Sequence, residues 1–290
     1  MSTRLPAWLA LLRPVQWSKN LLIGTALLTS HRLSEAALWW PLLKLFAAFC
    51  AVASAIYVLN DWLDRDADRA HPDKCQRPIA SGAVGATAVW TLLPLLALLA
   101  LLAGWTLAPA AQGALLLYAL LAVAYCLGLK RLLWLDVVVL AGLYALRVIA
   151  GAWAIAVPPS AWLIAFALFV FLSLAILKRY AELIRLGNGR MPGRAYAAAD
   201  LPVVLAFGSG VGLLAVLVLA LYVNSEQVRS LYRQPEWIWL LCPLLLYWLA
   251  RQWTLAARGA LRSDPLLAAL TDPSSYAVAA AGAVLAWMAV

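Results

Sequence analysis

Nine apolar runs of roughly membrane-spanning length divide this 290-residue chain, near 17–32, 38–60, 84–107, 109–129, 133–156, 160–182, 200–223, 236–256 and 268–288. No hydrophilic stretch between them is long enough to form a soluble domain. With 66% hydrophobic and 12% charged residues, a water-soluble fold would leave large apolar patches exposed. The chain is therefore expected to be an all-α integral membrane protein, with residues 1–290 as a single transmembrane domain. Arg13, Pro14, Gln16 and Lys19 interrupt the N-terminal apolar stretch, and no small-residue cleavage pattern follows. That predicts a retained first helix rather than a removed signal peptide.

The net charge of +9 is explained by orientation. With the N-terminus inside, the inner loops hold Arg4, Arg13 and Lys19; Arg65, Arg69, Lys74 and Arg77; Lys130 and Arg131; Lys178, Arg179, Arg185, Arg190 and Arg194; and Arg251, Arg258 and Arg262. Outside stand only Arg32, Arg229 and Arg233, while Lys44 and Arg147 fall within spans. The positive-inside rule then gives an N-in/C-out topology in the inner (plasma) membrane, with the chemically rich loops towards the cytoplasm. No nucleic-acid partner is needed to account for the charge. Four scattered cysteines without C-x-x-C spacing suggest neither a zinc site nor a disulfide framework, and two isolated histidines, His31 and His71, argue against a histidine-based metal or triad site.

Short turns such as Val157–Ser160 and Gly128–Arg131 imply antiparallel neighbours in a compact bundle. Two inner loops are longer, about 61–83 and 183–199. They follow the second and sixth spans on the same face, a layout that suits a duplicated architecture around a central cavity. Gly208, Gly210 and Gly212 are expected to let helices approach closely, and many of the fifteen Trp to sit at the membrane interfaces.

The densest chemistry is Asn60-Asp61-Trp62-Leu63-Asp64-Arg65-Asp66-Ala67-Asp68, four carboxylates in nine residues directly after an apolar run. Acids that dense beside a bilayer need a cation to hold them. At about 100° per residue, Asn60, Asp61, Asp64 and Asp68 fall within one ~100° arc, and Asp66 points elsewhere. Lys74 and Arg77 follow closely. Such a set can hold divalent cations and the phosphate oxygens they bridge, and Mg2+ fits, since it takes a few carboxylates and completes its shell with water and phosphate. The alternative is a solvated loop of mixed charge.

Lys178-Arg179-Tyr180-Ala181-Glu182-Leu183-Ile184-Arg185 closes the sixth span, with Lys178, Glu182 and Arg185 on one face. Lys178 and Glu182 are expected to face a cavity; an anchoring cluster with an intrahelical ion pair is the alternative. Arg147, inside the fifth span, either binds an anionic substrate group or ties helices together. Asp136 lies on the same face three turns away, too far to pair with it directly, and either starts its helix or belongs to the site. Lys19 and Asn20, with Gln16 and Trp17, place a polar patch at the inner end of the first span.

These residues carry a resemblance. Asn60-Asp61-x-x-Asp64-x-x-x-Asp68 after the second span of a nine-helix bundle resembles the first Asp-rich motif of the UbiA superfamily of prenyltransferases. Arg13-Pro14-x-Gln16-Trp17-x-Lys19-Asn20, Arg77-Pro78-Ile79-Ala80-Ser81-Gly82 and Lys178-Arg179-Tyr180-Ala181-Glu182-Leu183 are similar to its polyprenyl-phosphate phosphoribosyltransferase branch. The resemblance implies a bundle around a central cavity open near the cytoplasm. It also implies that Asp61, Asp64, Asp68 and Asn60 bind Mg2+ and a diphosphate. Two departures stand out. Lys178 and Glu182 occupy the spacing at which aromatic prenyltransferases carry a second Asp-x-x-x-Asp, and their Tyr-x-x-x-Lys motif is stretched by one residue, Tyr125 to Lys130.

The resemblance thus implies transfer of 5-phosphoribosyl from 5-phosphoribosyl 1-diphosphate (PRPP) to a polyprenyl phosphate, for cell-envelope glycolipid precursors. Asp61, Asp64 and Asp68 are the expected catalytic residues. Lys19, Asn60, Arg77, Tyr125, Lys130, Arg147, Lys178 and Glu182 are the expected substrate contacts. Any dephosphorylation would fall to a separate phosphatase. One rival is prenyl transfer from a prenyl diphosphate to an aromatic or other small acceptor. The other is a non-catalytic transporter or lipid-binding scaffold in which the acids couple a cation.

Overall fold

The computed structural model describes residues 6–70, 74–191, 193–261 and 264–290. Arg4, His71, Asp73 and Arg262 fall outside these residues, as does the side chain of Arg229. The order is α1 (Ala7–Leu12), a 3-10 segment (Pro14–Gly24), α2 (Thr25–Thr29), α3 (Ala36–Leu63), α4 (Arg65–Arg69), α5 (Ala86–Gly104), α6 (Pro109–Leu127), α7 (Leu135–Ala154) and α8 (Ala161–Leu186). There follow α9 (Leu201–Val223), α10 (Glu226–Leu231), α11 (Glu236–Trp239), α12 (Leu241–Ala257), α13 (Pro265–Ala269) and α14 (Pro273–Ala289). Among the described residues there is no strand, only one bridged pair, Arg190 with Ala197.

Among the described residues six helices, α3 and α5 to α9, are long and apolar enough to cross a membrane, which makes this a multi-pass membrane protein. Where three further spans were expected, the chain forms shorter pieces: α12 after α11, α14, and a first segment divided between the 3-10 stretch and α2. Helix starts follow local chemistry. Proline stands at the start of α6, α9, α13 and α14, where its missing N–H costs nothing. Ser160, Asp264 and Asp272 accept hydrogen bonds from Trp162, Leu266 and Ser275 backbone N–H groups to cap α8, α13 and α14.

The first segment departs from a regular α-helix for a physical reason. Arg13 takes the left-handed conformation (φ 51°, ψ 60°), and Pro14 then opens a tighter 3-10 winding, unusually long at eleven residues. Side-chain bonds hold that winding against α3. Trp17 donates from Nε1 to Ser54 Oγ (3.0 Å), Ser54 donates to the Leu12 carbonyl (3.0 Å), and Asn20 donates to Cys50 Sγ (3.2 Å).

The chain forms two compact units, Met1–Leu129 with Leu146–Pro159, and Lys130–Ala145 with Ser160–Val290. In the first, α3 packs along α5, and a buried cluster of Leu11, Val58, Ile79, Val84, Val89 and Leu96 joins them to α1 and the loop after α4. Gly151 lies directly on the 3-10 segment: a Cβ there would stand 2.0 Å from the Ile23 carbonyl oxygen. In the second unit α8, α9 and α12 meet. A Cβ on Gly208 would stand 2.3 Å from the Trp253 ring and one on Gly212 2.9 Å from Ser173 Oγ, whereas Gly210 faces open space. Two of the three glycines expected to allow close approach do so.

Gly151→Ala should cost roughly 1–3 kcal/mol, because backbone cannot yield to the added methyl. Gly210→Ala should be neutral or stabilising by up to ~1 kcal/mol through helix propensity. Thermal unfolding of the two variants in one detergent tests the contrast, and equal melting temperatures would refute it.

Candidate functional site

The acidic stretch lies where α3 gives way to α4. The helix pauses at Asp64 (φ −91°, ψ 2°), yet Asp64 N–H reaches the Asn60 carbonyl (2.9 Å) and Asp68 N–H the Asp64 carbonyl (2.8 Å). Helical spacing therefore survives the pause. Asp61 and Asp68 are buried, 2% and 3% exposed, and Asp64 is half-buried. Asp66 points outward and pairs with Arg69 (3.2 Å), as helical spacing predicts.

Two guanidinium groups meet the buried acids. Arg13 Nη2 straddles Asp61, donating to Oδ1 at 2.6 Å and Oδ2 at 2.9 Å, and its guanidinium carbon lies 4.9 Å from the Tyr57 ring centroid. Arg77 Nη1 donates to Asp61 Oδ1 (3.1 Å) and Asp68 Oδ2 (2.6 Å). One positively charged nitrogen thus stands between two carboxylates. Charge-assisted bonds of this length are the strong kind. Arg13 appears in the sequence only as part of a motif; its role as a partner of Asp61, 48 residues away, has no local signal.

The loop after α4 aims Arg77. Arg77 N–H bonds the Lys74 carbonyl, Ser81 N–H bonds the Arg77 carbonyl, and Val84 N–H bonds the Pro78 carbonyl. Gly82, at φ 80°, supplies the left-handed residue the turn requires. Ile79 and Val84 then enter the apolar cluster against Val58 and Leu11, while Arg69 Nε holds the Ala80 carbonyl (3.2 Å). Apolar anchoring fixes the backbone from which the Arg77 side chain reaches the acids.

Elsewhere in the first unit Arg147 is 5% exposed. It donates from Nε to Asn20 Oδ1 (2.8 Å) and from Nη2 to the Tyr118 hydroxyl (2.8 Å), with its guanidinium 4.6 Å from the Tyr118 ring centroid. The residue therefore ties α7 to α6 and to the 3-10 segment. Lys19 is buried, and Tyr125 is half-buried near the end of α6.

The second unit has its own buried charge network. Asp136 and Arg179, 0% and 1% exposed, are joined Nε to Oδ2 at 2.6 Å. Arg179 Nη1 also reaches Glu182 Oε2 (2.5 Å), and the Tyr196 hydroxyl donates to Asp136 Oδ1 (2.7 Å). Trp134 N–H donates to the Tyr196 oxygen (3.2 Å), and Arg194 Nη1 to the carbonyl of the buried Lys130 (3.0 Å). Lys178 pairs with Asp264 at 3.0 Å. Arg179, Tyr196 and Asp264 are site neighbours that sequence reasoning missed. Only the Arg179–Glu182 spacing of three residues offered a signal.

Among the described residues no three His, Cys, Asp or Glu side chains gather in a ready metal shell. The fit to a divalent cation lies instead in the donor set. Asp61 and Asp68 already converge on one cationic nitrogen of Arg77, and hard carboxylate oxygens suit Mg2+.

Fold and site together define a multi-pass, all-helical membrane protein whose buried acids are paired with arginines at a helix end. Residues 21–271 match the UbiA prenyltransferase family, and the chain belongs to it. It is 34% identical to the uncharacterized protein y4nM of Sinorhizobium fredii over 94% of this chain and 54% of that one, so it spans about half that relative's length. It is 39% identical to the nodulation protein NoeC of Azorhizobium caulinodans over 91% of this chain and 86% of that one. Decaprenyl-phosphate phosphoribosyltransferase of Mycolicibacterium smegmatis is 38% identical over 59% of this chain and 55% of its own length. The fold is shared with a UbiA homolog from Archaeoglobus fulgidus solved with GPP and Mg2+, at a TM-score of 0.72 and 17% identity over 96% of this chain and 99% of that one.

Asp136→Ala should cost ~3–5 kcal/mol, because it leaves the Arg179 cation buried without its main partner; Tyr196→Phe should cost about 1 kcal/mol. Burial, and then donation to Asp136, raise the Tyr196 phenol above its ordinary value. The resulting stabilisation is full below the ordinary phenol value near 10 and is lost as pH rises through the higher folded-state value. Thermal melts of wild type and Tyr196→Phe should therefore converge at strongly alkaline pH; a gap that widens there would overturn the assignment.

Proposed function

We propose that the protein transfers 5-phosphoribosyl from PRPP to a polyprenyl phosphate with release of diphosphate, as a UbiA-family transferase. The observation that carries this reading is the state of the second motif. Where aromatic prenyltransferases are expected to present a second pair of aspartates, Glu182 is held by Arg179 at 2.5 Å and Lys178 by Asp264 at 3.0 Å. One acidic cluster then remains for one diphosphate, and the phosphoribosyltransferase relatives support placing it on a ribosyl donor.

In this reaction an oxygen of the acceptor phosphate bonds to the ribosyl C1, the C1–O bond to diphosphate breaks, and its electron pair leaves with the diphosphate. The acceptor is already anionic at neutral pH, so no strong general base is needed. Asp61, Asp64 and Asp68, with Asn60, would hold Mg2+, which stabilises charge growing on the leaving group. Lys19 and Arg77 neutralise phosphate oxygens, Arg147 adds positive potential, and Tyr125 supplies a hydroxyl. On the second unit we assign Lys130, Lys178 and Glu182 as substrate contacts. The proposal includes nine spans, an N-in/C-out orientation in the inner membrane with the chemistry facing the cytoplasm, and residues 1–290 working as a single domain. A separate phosphatase would act on the product.

Prenyl transfer to a small acceptor is the second reading, favoured by the fold shared with a protein solved with GPP and Mg2+. Purified protein given Mg2+ and labelled PRPP should label a polyprenyl phosphate, and Asp61→Ala should lower that rate at least a hundredfold. Labelling of an aromatic acceptor from a prenyl diphosphate, with none from PRPP, would sink the phosphoribosyl proposal. Absence of transfer from either donor would favour the transporter.

A further inference from the structure

We propose that Arg13 and Arg77 are exchangeable counterions of Asp61 and Asp68, so that a divalent cation and a diphosphate bind this site cooperatively and each binds poorly alone. The inference rests on the magnesium-diphosphate reading of the site and adds how loading is controlled. The four groups carry two positive and two negative charges, joined by contacts of 2.6–3.1 Å. Arg13 occupies both oxygens of Asp61 through one nitrogen, and Arg77 Nη1 takes the space between Asp61 and Asp68.

A divalent cation arriving alone meets carboxylates already neutralised and two guanidinium groups that repel it. A diphosphate arriving alone meets arginines committed to Asp61 and Asp68. When both arrive, the carboxylates turn to the metal and the guanidinium groups to phosphate oxygens, and every charge keeps an opposite neighbour. Arg13 and Arg77 are equipped for this exchange, being about a quarter exposed at their side chains while the aspartates are buried. The guanidinium fork suits carboxylate and phosphate equally. Arg13 also stands at a left-handed backbone position between α1 and the 3-10 segment.

The opposite sign of two effects on one variant tests the idea. Binding of Mn2+, followed by electron paramagnetic resonance, and of inorganic pyrophosphate, by calorimetry, is measured on the full chain in detergent micelles. In wild type, saturating pyrophosphate should tighten Mn2+ binding about tenfold or more, and Mn2+ should tighten pyrophosphate by the same factor. Arg13→Gln should tighten Mn2+ binding in the absence of pyrophosphate by about three- to tenfold, weaken pyrophosphate, and shrink the coupling. Arg13→Lys, which retains the charge, should keep the coupling more nearly intact. Arg77→Gln gives the same reading should Arg13→Gln fail to fold. An Arg13→Gln or Arg77→Gln protein whose Mn2+ affinity alone is unchanged or weaker overturns the proposal, since a plain phosphate ligand predicts that result. Wild-type Mn2+ affinity indifferent to pyrophosphate overturns it as well. Coupling that persists in a protein inactive with PRPP upholds the exchange while removing the phosphoribosyl reading, so the two failures are told apart.

Discussion

A charge taken into an apolar helical bundle must be answered by an opposite charge or hydrogen-bonding group within a few ångströms, and the polar geometry of both units follows from that constraint. Asp61 is met by Arg13 and Arg77, and Asp136 by Arg179 and Tyr196. In each unit the acid sits near one end of a long apolar helix, and its partners come from other elements. The loop Lys74–Val84 must fold back for Arg77 to reach Asp61 and Asp68. Tyr196 must lie against the start of α7 to reach Asp136. Satisfying the buried charge and ordering the loop are one event, because an unpaired buried carboxylate is too costly to persist.

The fold was legible where it depends on composition and period. Among the described residues six long apolar helices stand where apolar runs occur in the sequence, with boundaries shifted by a few residues. The first segment was not legible as 3-10, because its winding is held by Trp17 meeting Ser54 and Asn20 meeting Cys50, 37 and 30 residues away in sequence. Among the glycines, the evenly spaced trio in α9 invited one interpretation, yet a Cβ on Gly210 would meet nothing within 4 Å, as on Gly142 in α7, whereas Gly151 in the same helix has a carbonyl against it. Spacing reports which residues share a face; it does not report what that face meets.

The candidate site divides along the same line. The acidic stretch announced itself, since helical spacing alone separates Asp61, Asp64 and Asp68 from the exposed Asp66. Its partners did not. Arg13 and Asp61 are 48 residues apart, and Arg179 and Asp136 are 43 apart, so nothing local distinguishes these arginines from others that merely orient the chain. Lys178 and Glu182 share a helical face, which suggests a cavity lining or, alternatively, an intrahelical ion pair. In the structure each has a stronger neighbour, Asp264 for one and Arg179 for the other.

The choice of arginine over lysine at the buried positions follows from the same geometry. Arg179 serves Asp136 through Nε and Glu182 through Nη1, and Arg147 serves Asn20 through Nε and Tyr118 through Nη2. Two partners are held from two fixed directions by one planar group, which a compact ammonium cannot reproduce from a flexible stem. Arg77 differs: a single nitrogen, Nη1, faces both Asp61 and Asp68. Rigid bidentate bracing and single-point contact are different uses of one residue type. The first suits a fixed joint, the second a counterion able to change partners.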